Sequence, residues 1–150
     1  KEQQIAFRKQ IQLAKQYNLP ISIHVRESYE VVTDIIKKEY YPEMKGVFHC
    51  FSGTAEQADH VISMGFKIGI GGTVTFKNSG VDTVVQHVDL KNIILETDSP
   101  YLAPAPLRGK RNESANLTHI AHKVSQIKGI TFEEVAETTT QTASQLFMLP

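Results

Sequence analysis

The sequence predicts an α/β protein built on a parallel sheet. Two observations carry that expectation. Short apolar runs alternate with amphipathic stretches along the chain. The four runs that read as strands begin roughly 20 to 27 residues apart, and each gap has room for a helical crossover, which parallel neighbours require.

Taken in order, the chain opens with a helix over 2–17, with Phe7, Ile11 and Ala14 on one stripe and Leu13 and Tyr17 beside it. Asn18 and Pro20 end it. ISIHV (21–25) is a strand rich in β-branched residues, followed by a helix around 28–40 with Val32, Ile35 and Ile36. GVFHC (46–50) is the second strand. Thr54 and Gln57 have the spacing of a capping box, and the helix they open closes at Gly65. FKIGIGG (66–72) is the third strand, and Val81, Val84, Val85 and Val88 mark a helix over 81–88. NIILETD (92–98) is the fourth strand, followed by a loop, PYLAPAPLRGKRNE, that holds three of the six prolines. Helices over 113–128 and 132–147 finish the chain, the second with a capping box at Thr131 and Glu134. No repeat, low-complexity segment or domain boundary interrupts 1–150.

Composition excludes several function classes. The 150 residues carry 16 basic and 16 acidic side chains, with 41% hydrophobic and 21% charged residues, a globular balance rather than a disordered one. No apolar run approaches the ~18 residues of a membrane span. A neutral chain is a poor nonspecific nucleic-acid coat, although a local basic patch remains open. The single cysteine, Cys50, cannot form an internal disulfide, so a reducing compartment, the cytoplasm, is expected. The opening KEQQIAFRKQ has no initiator Met and no signal-peptide core, which reads as a cut end.

Two architectures fit this order: an open doubly wound sheet, or part of a (β/α)₈ barrel. The doubly wound form expects a glycine-rich phosphate turn after a strand. GIGGTVTF (69–76) is the candidate, without the spacing of that fingerprint. A barrel takes about 250 residues, so four units would be half of one.

In either architecture the chemistry gathers at the carboxyl ends of the strands. His24 ends the first, His49 nearly ends the second and Asp98 ends the fourth. Each has a plain alternative: a strand-end histidine often just packs, and Asp98 before Ser99-Pro100 could cap a turn. Recurrence at three of the four ends favours a divalent metal, because two imidazoles and a carboxylate suit Zn²⁺ or Mn²⁺ and leave positions for water. Glu96 shares strand parity with Asp98 and is a candidate to hydrogen-bond a metal ligand; its alternative is a buried carboxylate paired with a Lys or Arg. Arg108, Lys110 and Arg111 put three cations on the loop beside this rim, and Arg26 follows His24 by two residues. These suit phosphate recognition; their alternatives are a solvated basic loop and an ion pair near Glu27. Cys50, of opposite parity to His49, is expected to pack away from the site. His60, His87, His119 and His122 fall inside helices and are read as surface or packing residues.

Together, PISIHVRE (20–27), FHCFSG (48–53) and above all ILETDSPYLAP (94–104) with RGKRNE (108–113) resemble the TatD family of metal-dependent deoxyribonucleases. The resemblance runs the whole length, through KGITFEEVAETTTQTASQLF (128–147). One departure is Ser114, where the family usually has proline, with an effect expected only on the helix start. The resemblance implies a metal-dependent-hydrolase (β/α)₈ TIM barrel. It implies two divalent ions (Zn, Mn or Mg) per complete site, with His24 and His49 on one and Asp98 on the other. It further implies hydrolysis of DNA phosphodiester bonds by an activated water, which Asp98 orients or deprotonates. Arg26, Lys110 and Arg111 would then contact substrate phosphate. The family's His-x-His pair and its bridging Glu have no counterpart here and would lie upstream of Lys1. The chain is therefore expected to be the carboxyl-terminal half, strands five to eight, inactive alone. Its open sheet edges would be covered by the missing half or by a second copy. Three rivals stand beside this expectation: a related barrel hydrolase acting on an amide or ester, such as aminoacyl-tRNA; a noncatalytic metal-binding module; and an open-sheet nucleotide binder.

Overall fold

The computed structural model describes residues 1–149. Its elements are α1 (Glu2–Tyr17), β1 (Ile21–His24), α2 (Tyr29–Lys38), β2 (Gly46–His49), α3 (Ala55–Ser63), β3 (Phe66–Ile70), α4 (Val81–His87), β4 (Ile93–Leu95), α5 (Leu117–Lys128) and α6 (Phe132–Phe147). The strands form one parallel sheet in the order β1-β2-β3-β4. Sequential parallel order is the winding of consecutive barrel units. A doubly wound sheet reverses its order at a switch point, and no reversal occurs among these four strands.

Local signals account for most boundaries. Asn18 adopts the left-handed conformation at the end of α1 (φ 51°) and returns its N–H to the helix carbonyls. The capping box of α3 forms in full, with Thr54 and Gln57 each bonded to the other's backbone N–H. The Thr131 hydroxyl accepts from the Glu134 N–H at the start of α6. On α1, Ile11 and Ala14 are buried, whereas Leu13 and Tyr17 are exposed, so its buried stripe is narrower than expected.

Register explains how the sheet separates core from site. Ile23, Phe48, Ile68 and Ile93 are paired in one row across all four strands, and all are buried. That row packs under the helices with Ile36, Val61, Val84, Ile120 and Val124, each such burial being worth about 1.5–3 kcal/mol. Side chains alternate faces along a strand, so the next residues, His24, His49, Gly69 and Ile94, form a row on the opposite face. A smaller cluster of Val47, Ile94 and Leu146 closes the lower part of that face beneath α6.

Three expectations need correction. The fourth strand stops at Leu95 rather than at residue 98, although the Glu96 N–H still donates to the Ile70 carbonyl. The third strand stops at Ile70, and Gly72–Thr75 form a 3₁₀ turn. A Cβ on Gly72 would collide with the Leu102 carbonyl, so that glycine admits a protein loop rather than a phosphate. The helix expected from 113 begins at Leu117, after a 3₁₀ turn over Ser114–Asn116.

Candidate metal centre

His24 and His49 end β1 and β2 as register partners, so their side chains leave the sheet on the same side. Their ring centroids lie 5.8 Å apart. His49 is the hub. Its Nδ1 faces Glu96 Oε1 at 2.9 Å and its Nε2 faces Asp98 Oδ1 at 3.2 Å. Glu96 Oε1 also accepts the backbone N–H of Cys50. Phe48 pairs with Ile68, so Gly69 follows beside His49, and a Cβ there would strike the Glu96 carboxylate. The glycine in β3 therefore makes the space in which Glu96 reaches His49.

Burial pushes the Glu96 carboxyl up from its ordinary value, while His49 and the Cys50 N–H pull it down. The Cys50 thiol is pushed up to about 11, first by burial and then by Glu96 and Asp98. Cys50 is thus closer to the site than its parity suggested, yet poorly suited to act as a nucleophile.

Asp98 reaches His49 by another route than the one expected. It lies three residues beyond β4, in the left-handed conformation (φ 55°). Strand parity does not place it; a turn does. Glu27 (φ 53°) and Cys50 (φ 48°), just past β1 and β2, share that conformation. Such residues cost about 1–3 kcal/mol each, persist only where the surroundings enforce them, and cluster at functional sites.

The residues suit a divalent cation in part. Two neighbouring imidazoles and a carboxylate are a borderline donor set, and Glu96 on Nδ1 of His49 is the outer-shell carboxylate that typically orients a ligating histidine. Among the described residues, however, no three His, Cys, Asp or Glu side chains converge into a closed metal-binding cluster. His24 is exposed, and both His49 nitrogens face carboxylates.

Beside His49 a cleft of about 620 Å³ opens between the loops after β1 and β2, lined by Arg26, Ser28, Tyr29, Ser52 and Gln57. Arg26, Lys110 and Arg111 are exposed and make no ion pair among the described residues, so the alternative of an ion pair for Arg26 near Glu27 does not form. Arg108 instead lies over the Phe76 ring, 4.1 Å from its centroid. Three of the helical histidines have partners of their own: His60 the Tyr29 hydroxyl, His87 Asp59, and His122 the Phe132 ring.

Sequence reasoning missed two contributors. Gly69 carried a signal, since a glycine inside a strand marks a close approach. Asn112 lies in the RGKRNE segment that carries the resemblance, but its partners Tyr101 and Thr97 are 11 and 15 residues away, so its role was not legible there.

A family model described as "TatD related DNase" matches residues 1–148. The chain belongs to the TatD-related DNase family. This TatD-family chain is 43% identical over 148 residues to YabD of Bacillus subtilis (strain 168), named an uncharacterized metal-dependent hydrolase, covering 98% of the chain and 58% of that protein. It is 33% identical over 155 residues to the 3′-5′ ssDNA/RNA exonuclease TatD of Pantoea vagans (strain C9-1), covering 99% and 59% respectively. The crystal structure of YjjV, a TatD homolog from Escherichia coli K12, superposes with a TM-score of 0.88 at 29% identity, covering 94% of this chain and 54% of that one. The TatD-family chain thus spans little more than half the length of these relatives.

Proposed function

We propose that this chain provides strands five to eight, and their helices, of a two-metal (β/α)₈ TIM-barrel hydrolase that cleaves phosphodiester bonds of DNA. One observation carries the reading: His49 is bracketed by Glu96 and Asp98, with His24 beside it, at the carboxyl ends of parallel strands. The sequential strand order, the edge positions of β1 and β4 and the coverage of the relatives support an upstream half as the natural partner, with a second copy as its substitute. Among the described residues no helix is long and apolar enough to cross a membrane. The lone free cysteine supports a reducing, cytoplasmic setting.

In the complete site His24 and His49 would hold one divalent ion (Zn, Mn or Mg) and Asp98 the other. Bound ions of this class supply Lewis acidity and ease the deprotonation of water. Glu96 fixes the ring of His49 through Nδ1. Asp98 orients the attacking water and takes its proton as the new P–O bond forms. The opposite P–O bond breaks, and its oxygen leaves with a proton drawn from solvent. Arg26, Lys110 and Arg111 hold the flanking phosphates, Arg as a fork and Lys as a point charge.

The test is hydrolysis of end-labelled single-stranded DNA, duplex DNA, RNA and aminoacyl-tRNA with Mn²⁺ or Zn²⁺, by this chain alone and joined to the coding sequence upstream of it. Cleavage of DNA by the longer form, lost with chelator and reduced at least ~10³-fold in Asp98→Asn, is expected. Release of an amino acid without DNA cleavage would overturn the nuclease reading in favour of an ester hydrolase. Calorimetric binding of one ion by this chain, lost in His49→Ala, is the expected half-site result.

A further inference from the structure

We propose that Asn112 is a positioning residue that sets the backbone conformation of Asp98; the consequence for metal binding rests on the reading of Asp98 as a ligand given above. Asn112 is 2% exposed, and its amide is fully used. Nδ2 donates to the carbonyls of Thr97 and Tyr101, both at 2.7 Å. Oδ1 accepts from the Glu113 N–H at 3.0 Å and from Asn116 Nδ2 at 2.9 Å. Its own backbone N–H donates to the Pro100 carbonyl at 3.0 Å.

The two carbonyls held by Nδ2 bracket Asp98 on either side, and the Tyr101 N–H returns to the Asp98 carbonyl at 2.9 Å. Rotating Asp98 out of the left-handed region would swing the Thr97 or Tyr101 carbonyl away from Nδ2, leaving a buried donor unpaired. Asn112 is anchored in turn through Asn116, the buried residue that opens α5, whose Ile120 and Val124 are wholly buried in the core. A line of contacts therefore runs from the core through Asn116 and Asn112 to the turn that points the Asp98 carboxylate at His49. Lys110 and Arg111 directly precede Asn112, so the same amide fixes where those two exposed cations leave the loop.

The side chain must be an amide. Aspartate has the same shape and can still accept from Glu113 and Asn116, but it presents an oxygen instead of an NH₂ to two carbonyl oxygens. Asn112→Asp therefore isolates the two bonds around Asp98, and Asn112→Ala removes all four.

The experiment measures amide hydrogen exchange at Tyr101 and at Ile68, in the middle of the sheet, together with calorimetric Zn²⁺ and Mn²⁺ affinity. It uses the chain joined to the coding sequence upstream of it, so that the ion given to Asp98 has its other ligands, with each substitution made with and without Asp98→Ala. Exchange at Tyr101 is expected to rise at least ~10-fold while Ile68 is unchanged, and affinity for the ion given to Asp98 to fall ~10–100-fold, as for other changes of groups that orient a ligand. In the Asp98→Ala background the Asn112 substitutions should lower affinity no further. Unchanged exchange at Tyr101 in both variants would overturn the proposal, as would an equal loss of affinity with and without Asp98. If the unsubstituted chain binds neither ion, the ligand reading of Asp98 fails, and exchange at Tyr101 alone decides whether Asn112 sets the turn. Should Asn112→Ala unfold, Ile68 would exchange with Tyr101, and Asn112→Asp carries the test.

Discussion

Gly69→Ala probes whether the site is built around space for Glu96. The added methyl would run into a carboxylate whose Oε1 faces His49 Nδ1 at 2.9 Å and accepts the Cys50 N–H. Glu96 must withdraw, giving up two hydrogen bonds to a chargeable group, about 1.5–3 kcal/mol each. Two effects reduce that loss. Glu96 keeps 19% of its side chain exposed, so water replaces part of it. Gly69 has no positive φ, so alanine also stabilises by about 0.4–1 kcal/mol through the unfolded chain. A net loss of about 2–3 kcal/mol follows, which in a chain of this size lowers Tm by about 4–12 °C. Metal affinity should fall about 10–100-fold, because His49 loses its outer-shell partner. The decisive comparison is thermal unfolding of Gly69→Ala in a Glu96→Ala background, where the methyl has room and the change should turn mildly stabilising. An equal drop in Tm in both backgrounds would show that the glycine is needed for some reason other than Glu96, and the reasoning would be wrong.

Thr54→Ala should cost about 1 kcal/mol by removing the cap of α3, a fall in Tm of about 2–4 °C in calorimetry. In metal-free protein, alkylation of Cys50 should accelerate about tenfold per pH unit up to about pH 11, where its thiol ionises. The raised value also means that the unfolded chain ionises first, near pH 9, so stability should decline as pH rises from about 9 to 11 and then level off. Lys110→Ala and Arg111→Ala should each weaken single-stranded DNA binding for all sequences alike and reduce the slope of log K against log salt by about 1; an unchanged slope would remove these two cations from the phosphate path.

Much of the frame was legible because it is written in short-range patterns. Short apolar runs mark strands, and the Thr54 and Thr131 signals mark helix starts. Once parallel pairing is accepted, His24 and His49 must emerge side by side, since both end strands of matched register. Asp98 was found for a reason that proved incomplete: continuing strand parity through ILETD puts it on the site face, but the strand has already ended at Leu95. It faces His49 because a left-handed turn sends it there.

That difference separates two kinds of information. A residue within a strand inherits its direction from neighbours two positions away, and such order can be read from a few letters. A residue in a strained turn inherits its direction from whatever holds the turn, and here the holding groups are Asn112 and, behind it, Asn116 and α5. Nothing local to Asp98 announces them. The two halves of the candidate site therefore have different sensitivities. Substitutions in the buried row of the sheet should move the backbone of His24 and His49 only by unfolding it, whereas the carboxylates that face His49 can be displaced while the sheet stays intact. A histidine pair on a stiff sheet facing a carboxylate on an adjustable turn lets one side of the candidate site be tuned by loop residues without loss of the fold that carries the other.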